Sequence, residues 1–186
     1  RLAADRWYES EGKKAAGECA QTDCLAVNVE YWDECGWPDR FASHSYTERQ
    51  RARVMLAEGR DAIFTPQVMV GSNVQAPWRS TGRFDSSLQQ ARQPAAVALA
   101  LQAQPRGKSW DVHIGAARTE GAPSVPAEVW LAQYIDGQVS RVRAGTTHVV
   151  TLHHDRVLAT LWGPRTRGGN ASHEWGAWGS GAAGAG

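Results

Sequence analysis

Apolar and polar positions alternate along this chain in two different rhythms, and the change of rhythm divides it. Near the start, Leu2, Ala3, Trp7 and Tyr8 fall close to one face of a helix over residues 1–16. Glu9 can pair with Lys13 one turn on, and Gly17 is a natural stop. The stretch CLAVNVEYW then sets Leu25, Val27, Val29 and Tyr31 against Ala26, Asn28 and Glu30, the period of a strand, and its weakly charged second face reads as central in a sheet. SYTERQRARVMLAEG predicts a helix with a Ser45/Glu48 capping box and Gly59 at its end. Val68 to Val70 form a short apolar strand behind Thr65-Pro66, where a proline belongs at a strand's first residue or in a turn, cis or trans. Residues 71–94 are polar and turn-rich, with a short helix around SSLQQAR, and mark the boundary between halves. Beyond them the rhythm is that of strands. SWDVHIGA alternates Trp110, Val112 and Ile114, and AEVWLAQYI and QVSRVR flank Asp136-Gly137, a strong short-range hairpin signal. THVVTLHHDRVLATLW fits a strand pair or a short helix. From Gly168 onward the Gly/Ala-rich residues carry too little apolar surface to order themselves and read as a flexible tail.

Composition narrows the class. With 186 residues, 42% hydrophobic and 21% charged, the chain can bury a sizeable core, and a formal net charge of +1 gives no electrostatic reason to expect nucleic acid. No apolar run reaches the roughly 20 residues needed to cross a bilayer; PAAVALALQAQ is too short, so the chain is not expected to span a membrane. The first residue is Arg1 and no secretory signal pattern follows it, which reads as a chain processed or incomplete at its start. Nine tryptophans mark large packed contacts or binding surfaces, packing being the favoured reading.

Chemistry is harder to find. No spaced Cys/His set, phosphate-cradling glycine loop or Gly-x-Ser-x-Gly elbow occurs, so no cofactor and no metal are expected. His148, His153 and His154 do not form a natural ligand set, because neighbours on a strand point to opposite faces. An acid-dependent hydrolase using Glu30 or Asp33 has nothing beyond composition behind it. Asn170-Ala-Ser172 matches a glycosylation triplet too short to carry weight. Cys19 and Cys24 lie beside Glu18 and Asp23, whose charges raise rather than lower a thiol pKa, and a structural disulfide between them is the favoured reading in an oxidising compartment. Cys35 is left over. An inert buried thiol is favoured for it, a reactive or intermolecular thiol being the alternative.

The run VNVEYWDECGWPDRFASHSYTERQRARV, followed by IFTPQVMVG, resembles the DUF1223 family of exported bacterial thioredoxin-like proteins. The matching positions are Tyr31, Trp32, Asp33, Gly36, Trp37, Asp39, Phe41, Ala42, Ser43, Thr47, Arg49, Gln50, Thr65, Pro66 and Gln67. The resemblance implies a thioredoxin-like core, Pro66 as its cis-proline before a central strand, and a periplasmic location. Members of that family carry an upstream Cys-x-x-Cys strand and a further C-terminal strand that these residues do not match. Cys35 is not one of the motif positions. YWDECGW therefore reads as a rigid corner, with Tyr31, Trp32 and Trp37 packing and Asp33 accepting backbone hydrogen bonds.

The expected architecture is α/β: a thioredoxin-like core over residues 1–94 lacking its first strand, a strand-rich second half over 95–167, and the tail over 168–186. The preferred function is that of a non-catalytic periplasmic accessory protein docking to a partner chain, with docking on a membrane complex left open. The alternative is a thiol-disulfide oxidoreductase whose dithiol lies upstream of Arg1.

Overall fold

Helix α1 (His44–Glu58) begins two residues earlier than the capping box requires. Ser43 is the extended N-cap, and its carbonyl accepts the N–H groups of Tyr46 (3.0 Å) and Thr47 (3.2 Å). Ser45 thus lies inside the helix and cannot cap it; its hydroxyl sits 2.9 Å from that of Ser43. The helix ends at Gly59, left-handed at φ 68°, whose N–H returns to the Met55 carbonyl. Gly59→Ala meets nothing within 4 Å, so the only penalty is the backbone's, about 1–2 kcal/mol. A urea titration should show that loss, and an unchanged midpoint would mean that the helix end relaxes freely.

The computed structural model describes residues 23–31, 33, 38–75, 81–92, 94–123, 126–144, 148–167 and 173–175. The expected helix over 1–16, Cys19, Trp32, Cys35, Gly36 and Trp37 lie outside them. Within them the chain is mixed α/β, with two helices and a majority of strand. It divides into two compact units, one of Arg1–Arg92 with Tyr134–Ala159, the other of Gln93–Gln133 with Thr160–Gly186. The sequence boundary near residue 94 falls at the first of these divisions, but the second half is not one block, because its middle groups with the first unit.

In the first unit, β1 (Val68–Val70) and β2 (Asn73–Gln75) form an antiparallel hairpin turned by Gly71 at φ 57°, behind a cis Thr65–Pro66 bond. Helix α2 (Thr81–Ala91) follows, longer than SSLQQAR alone predicts. The stretch 23–30 is extended, yet its pairing among the described residues is a single parallel bridge, Ala26 to Val157. Ala26 donates to Arg156 O (2.8 Å) and accepts from Leu158 N–H (2.9 Å). Its alternation is inverted at its start, where Leu25 and Val27 are each 44% exposed and Asn28 is half-buried, while Val29 and Tyr31 further along are half-buried. A hydrogen bond from the Asn28 amide to the buried Asp39 fixes that parity, so the polar side turns inward.

Strands β3 (Val97–Arg106) and β4 (Ser109–Arg118) open the second unit as an antiparallel hairpin of ten residue pairs, turned at Gly107 (φ 63°). The other strands are β5 (Ala127–Ile135), β6 (Gln138–Ala144), β7 (His148–His154), β8 (Val157–Arg167) and β9 (His173–Trp175). β9 lies antiparallel on β4, with Ile114 opposite Trp175. These three residues correct the flexible-tail expectation, since a sheet edge supplies the backbone partners that their own composition cannot. Val112, Ile114, Ala116 and Val129 make the core here, packed by Val97, Leu131 and Trp162.

Asp136-Gly137 is not a hairpin turn. β5 pairs with β8 and β6 with β7, so this dipeptide joins two strands that have different partners. Opposite it stands Asp155-Arg156, and the two steps close on each other. Gly137 N–H donates to Asp155 Oδ1 (2.8 Å), and Arg156 N–H to Asp136 Oδ1 (2.7 Å). Both Gly137 (φ 66°) and Arg156 (φ 56°) are left-handed, and the Arg156 guanidinium lies 4.5 Å over the Tyr134 ring.

Candidate functional site

The motif corner is built around one buried acid. Asp39, 6% exposed, accepts the Asn28 amide (2.8 Å) on one oxygen and the Phe41 N–H (3.1 Å) on the other. Its own N–H donates to Asp33 Oδ1 (3.1 Å), and its carbonyl accepts from Ala42 (2.9 Å). Asp33 in turn donates its N–H to the Glu30 carbonyl (2.8 Å). Charge-assisted bonds of this kind, made inside a corner, fix a loop that has no regular ladder of its own.

Around the corner the neighbouring residues tie the helix to the extended stretch before it. Glu30 N–H approaches Thr47 Oγ1 (3.4 Å), and the Glu30 carboxylate meets His44 Nδ1 at 2.5 Å on an exposed rim. Tyr46, beside the buried Thr47, is 7% exposed, and burial raises its phenol above the ordinary value. One turn later the Gln50 amide donates to the Phe64 carbonyl (3.0 Å) and to Gln67 Oε1 (2.6 Å). The Phe64 oxygen decides the orientation of both amides, since turning Gln50 over would set oxygen against oxygen. Gln67 thereby pins the residues that follow Thr65 and Pro66 to α1.

Arg40 and Phe41 carry the corner onto the β6–β7 hairpin. The Arg40 guanidinium lies 4.5 Å over Phe41 and reaches Gln138 Oε1 (3.1 Å) and the Val139 carbonyl (3.5 Å). Phe41 meets the buried His154 ring edge-on at 5.9 Å. Ser140 is also buried there, while Val139 is 46% exposed. His153 is exposed and His154 buried, the opposite faces expected of strand neighbours.

Of the residues singled out from sequence, the structure joins Asp33 to Asp39 and Gln50 to Gln67. Cys24 is half-buried at the start of the extended stretch, and its expected partner Cys19 lies outside the described residues. Among the described residues no three His, Cys, Asp or Glu side chains converge as a metal set. Sequence reasoning did not find the roles of Asn28, Arg40 and His44. Asn28 left a signal, a polar residue within an otherwise apolar alternation. What the corner does chemically is internal: the polar atoms traced here bond to other parts of the same unit.

A different kind of surface lies in the second unit. Residues opposite each other in an antiparallel pair share a face, so Leu99 stands beside Ala116, Leu101 beside Ile114, and Pro105 beside Trp110. Ile114 and Ala116 are buried, yet Leu99 (63%), Leu101 (62%) and Trp110 (46%) are open to solvent. One apolar face is therefore covered over part of its width.

A family model described as "Protein of unknown function (DUF1223)" matches residues 3–181, across both units. The chain belongs to the DUF1223 family. Among solved structures, this DUF1223 chain is similar to a crystal structure of a protein from Agrobacterium tumefaciens, at 23% identity and a TM-score of 0.57. The match covers 82% of this chain and 63% of that one, so the DUF1223 chain spans less than two thirds of its neighbour's length. At that identity the likeness is one of fold. No curated protein matches the chain.

Proposed function

We propose that this DUF1223 chain is a non-catalytic accessory protein of an exported, periplasmic compartment that docks to a partner protein. Its first unit supplies a thioredoxin-like scaffold. The order of extended segment, α1, antiparallel β1–β2 and α2 supports that reading, as does Pro66 at the entry to the hairpin. Hydrogen bonds of the motif corner hold this scaffold together rather than converging on a reacting atom.

The observation that carries the docking reading is the apolar face of β3 and β4, which runs without interruption from the covered Ile114 and Ala116 to the exposed Leu99, Leu101 and Trp110. Contiguous apolar surface of this kind marks interaction sites. A photo-crosslinking residue at position 101, expressed with the chain in its native compartment, should give one adduct of discrete mass. The same probe at the exposed Glu120 should give none. A chain that stays monomeric and yields no adduct at either position would remove the docking function.

A further inference from the structure

Strand β3 is bonded to β4 along one edge in unbroken register from Val97 to Arg106, and no described strand pairs with its other edge. A free edge presents a row of backbone donors and acceptors, which proteins ordinarily guard with charge, bulges, proline or brevity. Here those guards are missing for most of the length. β3 is ten residues long, it has no bulge against β4, and no charged side chain occurs from Val97 to Pro105. Proline enters only at its far end.

We propose that β3 is the seam of a symmetric dimer, in which the β3 strands of two copies of this chain pair antiparallel about a two-fold axis. The proposal rests on the docking reading above and names its partner. Antiparallel pairing of one strand with itself is isologous, so whatever suits one copy suits the other. Because side chains alternate with a period of two, the apolar faces of both copies lie on the same side when odd positions face odd positions. Centring the axis on Ala100 achieves this. Leu99 of each copy then faces Leu101 of the other, and Val97 faces Ala103, giving a six-stranded sheet with three strands from each copy.

Electrostatics suit this occupant. An uncharged strand meeting itself brings no like charges together, and a formal net charge of +1 per chain repels a second copy weakly. Cross-strand leucine pairs would cover side chains that are more than 60% exposed in the single chain.

The register is tested by charge placement. Light scattering after size exclusion should give twice the monomer mass for the unmodified chain at micromolar concentration. Leu99→Lys or Leu101→Glu alone should weaken the dimer at least tenfold. The double variant should restore it, because the introduced lysine of each copy then faces the introduced glutamate of the other. Both positions are solvent-exposed in the single chain, so circular dichroism should show an unchanged fold for all three variants. A monomer at every concentration would overturn the seam, and so would a dimer indifferent to both single changes. A monomer that still forms an adduct with another protein through position 101 would overturn the dimer while leaving the docking function standing.

Discussion

Gly163→Ala should destabilise the second unit by about 3 kcal/mol or more, the sum of a disfavoured backbone conformation and a collision that cannot relax. Gly163 sits in β8 at φ 128°, a region that side chains rarely tolerate. A methyl group placed there would lie 2.9 Å from the Val129 carbonyl and 3.1 Å from the Trp130 ring. The indole could tilt, but the carbonyl is backbone, in the strand paired with β8, and Val129 is part of the core. Gly115→Ala provides the contrast within the same unit. Its nearest neighbour would be the Ala100 methyl at 3.7 Å, an ordinary contact, so that change should be close to neutral. Urea unfolding followed by tryptophan fluorescence would compare them, and two similar midpoints would contradict the packing described around Gly163.

Asp39→Ala is expected to cost the first unit about 2–4 kcal/mol, since it strips a buried acceptor from two donors at once. The Asn28 amide and the Phe41 N–H, both part-buried, would be left facing a gap, and finding new partners for them would move the loop. Such movement would carry Arg40 and Phe41 away from Gln138 and His154. Two readouts should therefore change together: the unfolding midpoint, and amide exchange at Phe41 and along β6. Asp39→Asn should recover only part of the loss, because one carboxylate oxygen becomes a donor among donors. Faster exchange at Phe41 with an unaltered midpoint would mean that the corner is an ornament on a unit that stands without it.

What the sequence made legible follows from how local each signal is. α1, β1 and the strands β4, β5 and β6 announce themselves because their periodicity is written in adjacent residues, whereas the stretch that forms β7 and β8 fits a strand pair or a short helix by period alone. β3 escaped as a strand. Its Ala-Leu alternation is clear, but both faces are exposed for most of its length, and alternation between alanine and leucine reads as uniformly apolar. β9 was invisible for the opposite reason: three residues in a glycine-rich stretch become a strand only because β4 offers an edge. Asp136-Gly137 carries real turn chemistry, yet which strands a turn joins depends on a ladder formed elsewhere in the chain. The corner shows the same division. Asp33, directly after an alternating run, could be read as a residue that accepts backbone hydrogen bonds. The bond between Asn28 and Asp39 spans a loop, and that between Arg40 and Gln138 joins residues 98 positions apart.

The reciprocal closure of Asp136-Gly137 on Asp155-Arg156 makes the lengths of two distant stretches of sequence interdependent. Each step's backbone donor is met by the other step's carboxylate. A residue gained or lost at one step would shift the phase of the strand beyond it, turning Val139 inward and Ser140 outward, and would strand the opposite donor as well. Only a matching change at the other step could put both right, so DUF1223 sequences that keep this corner should vary in length there in pairs.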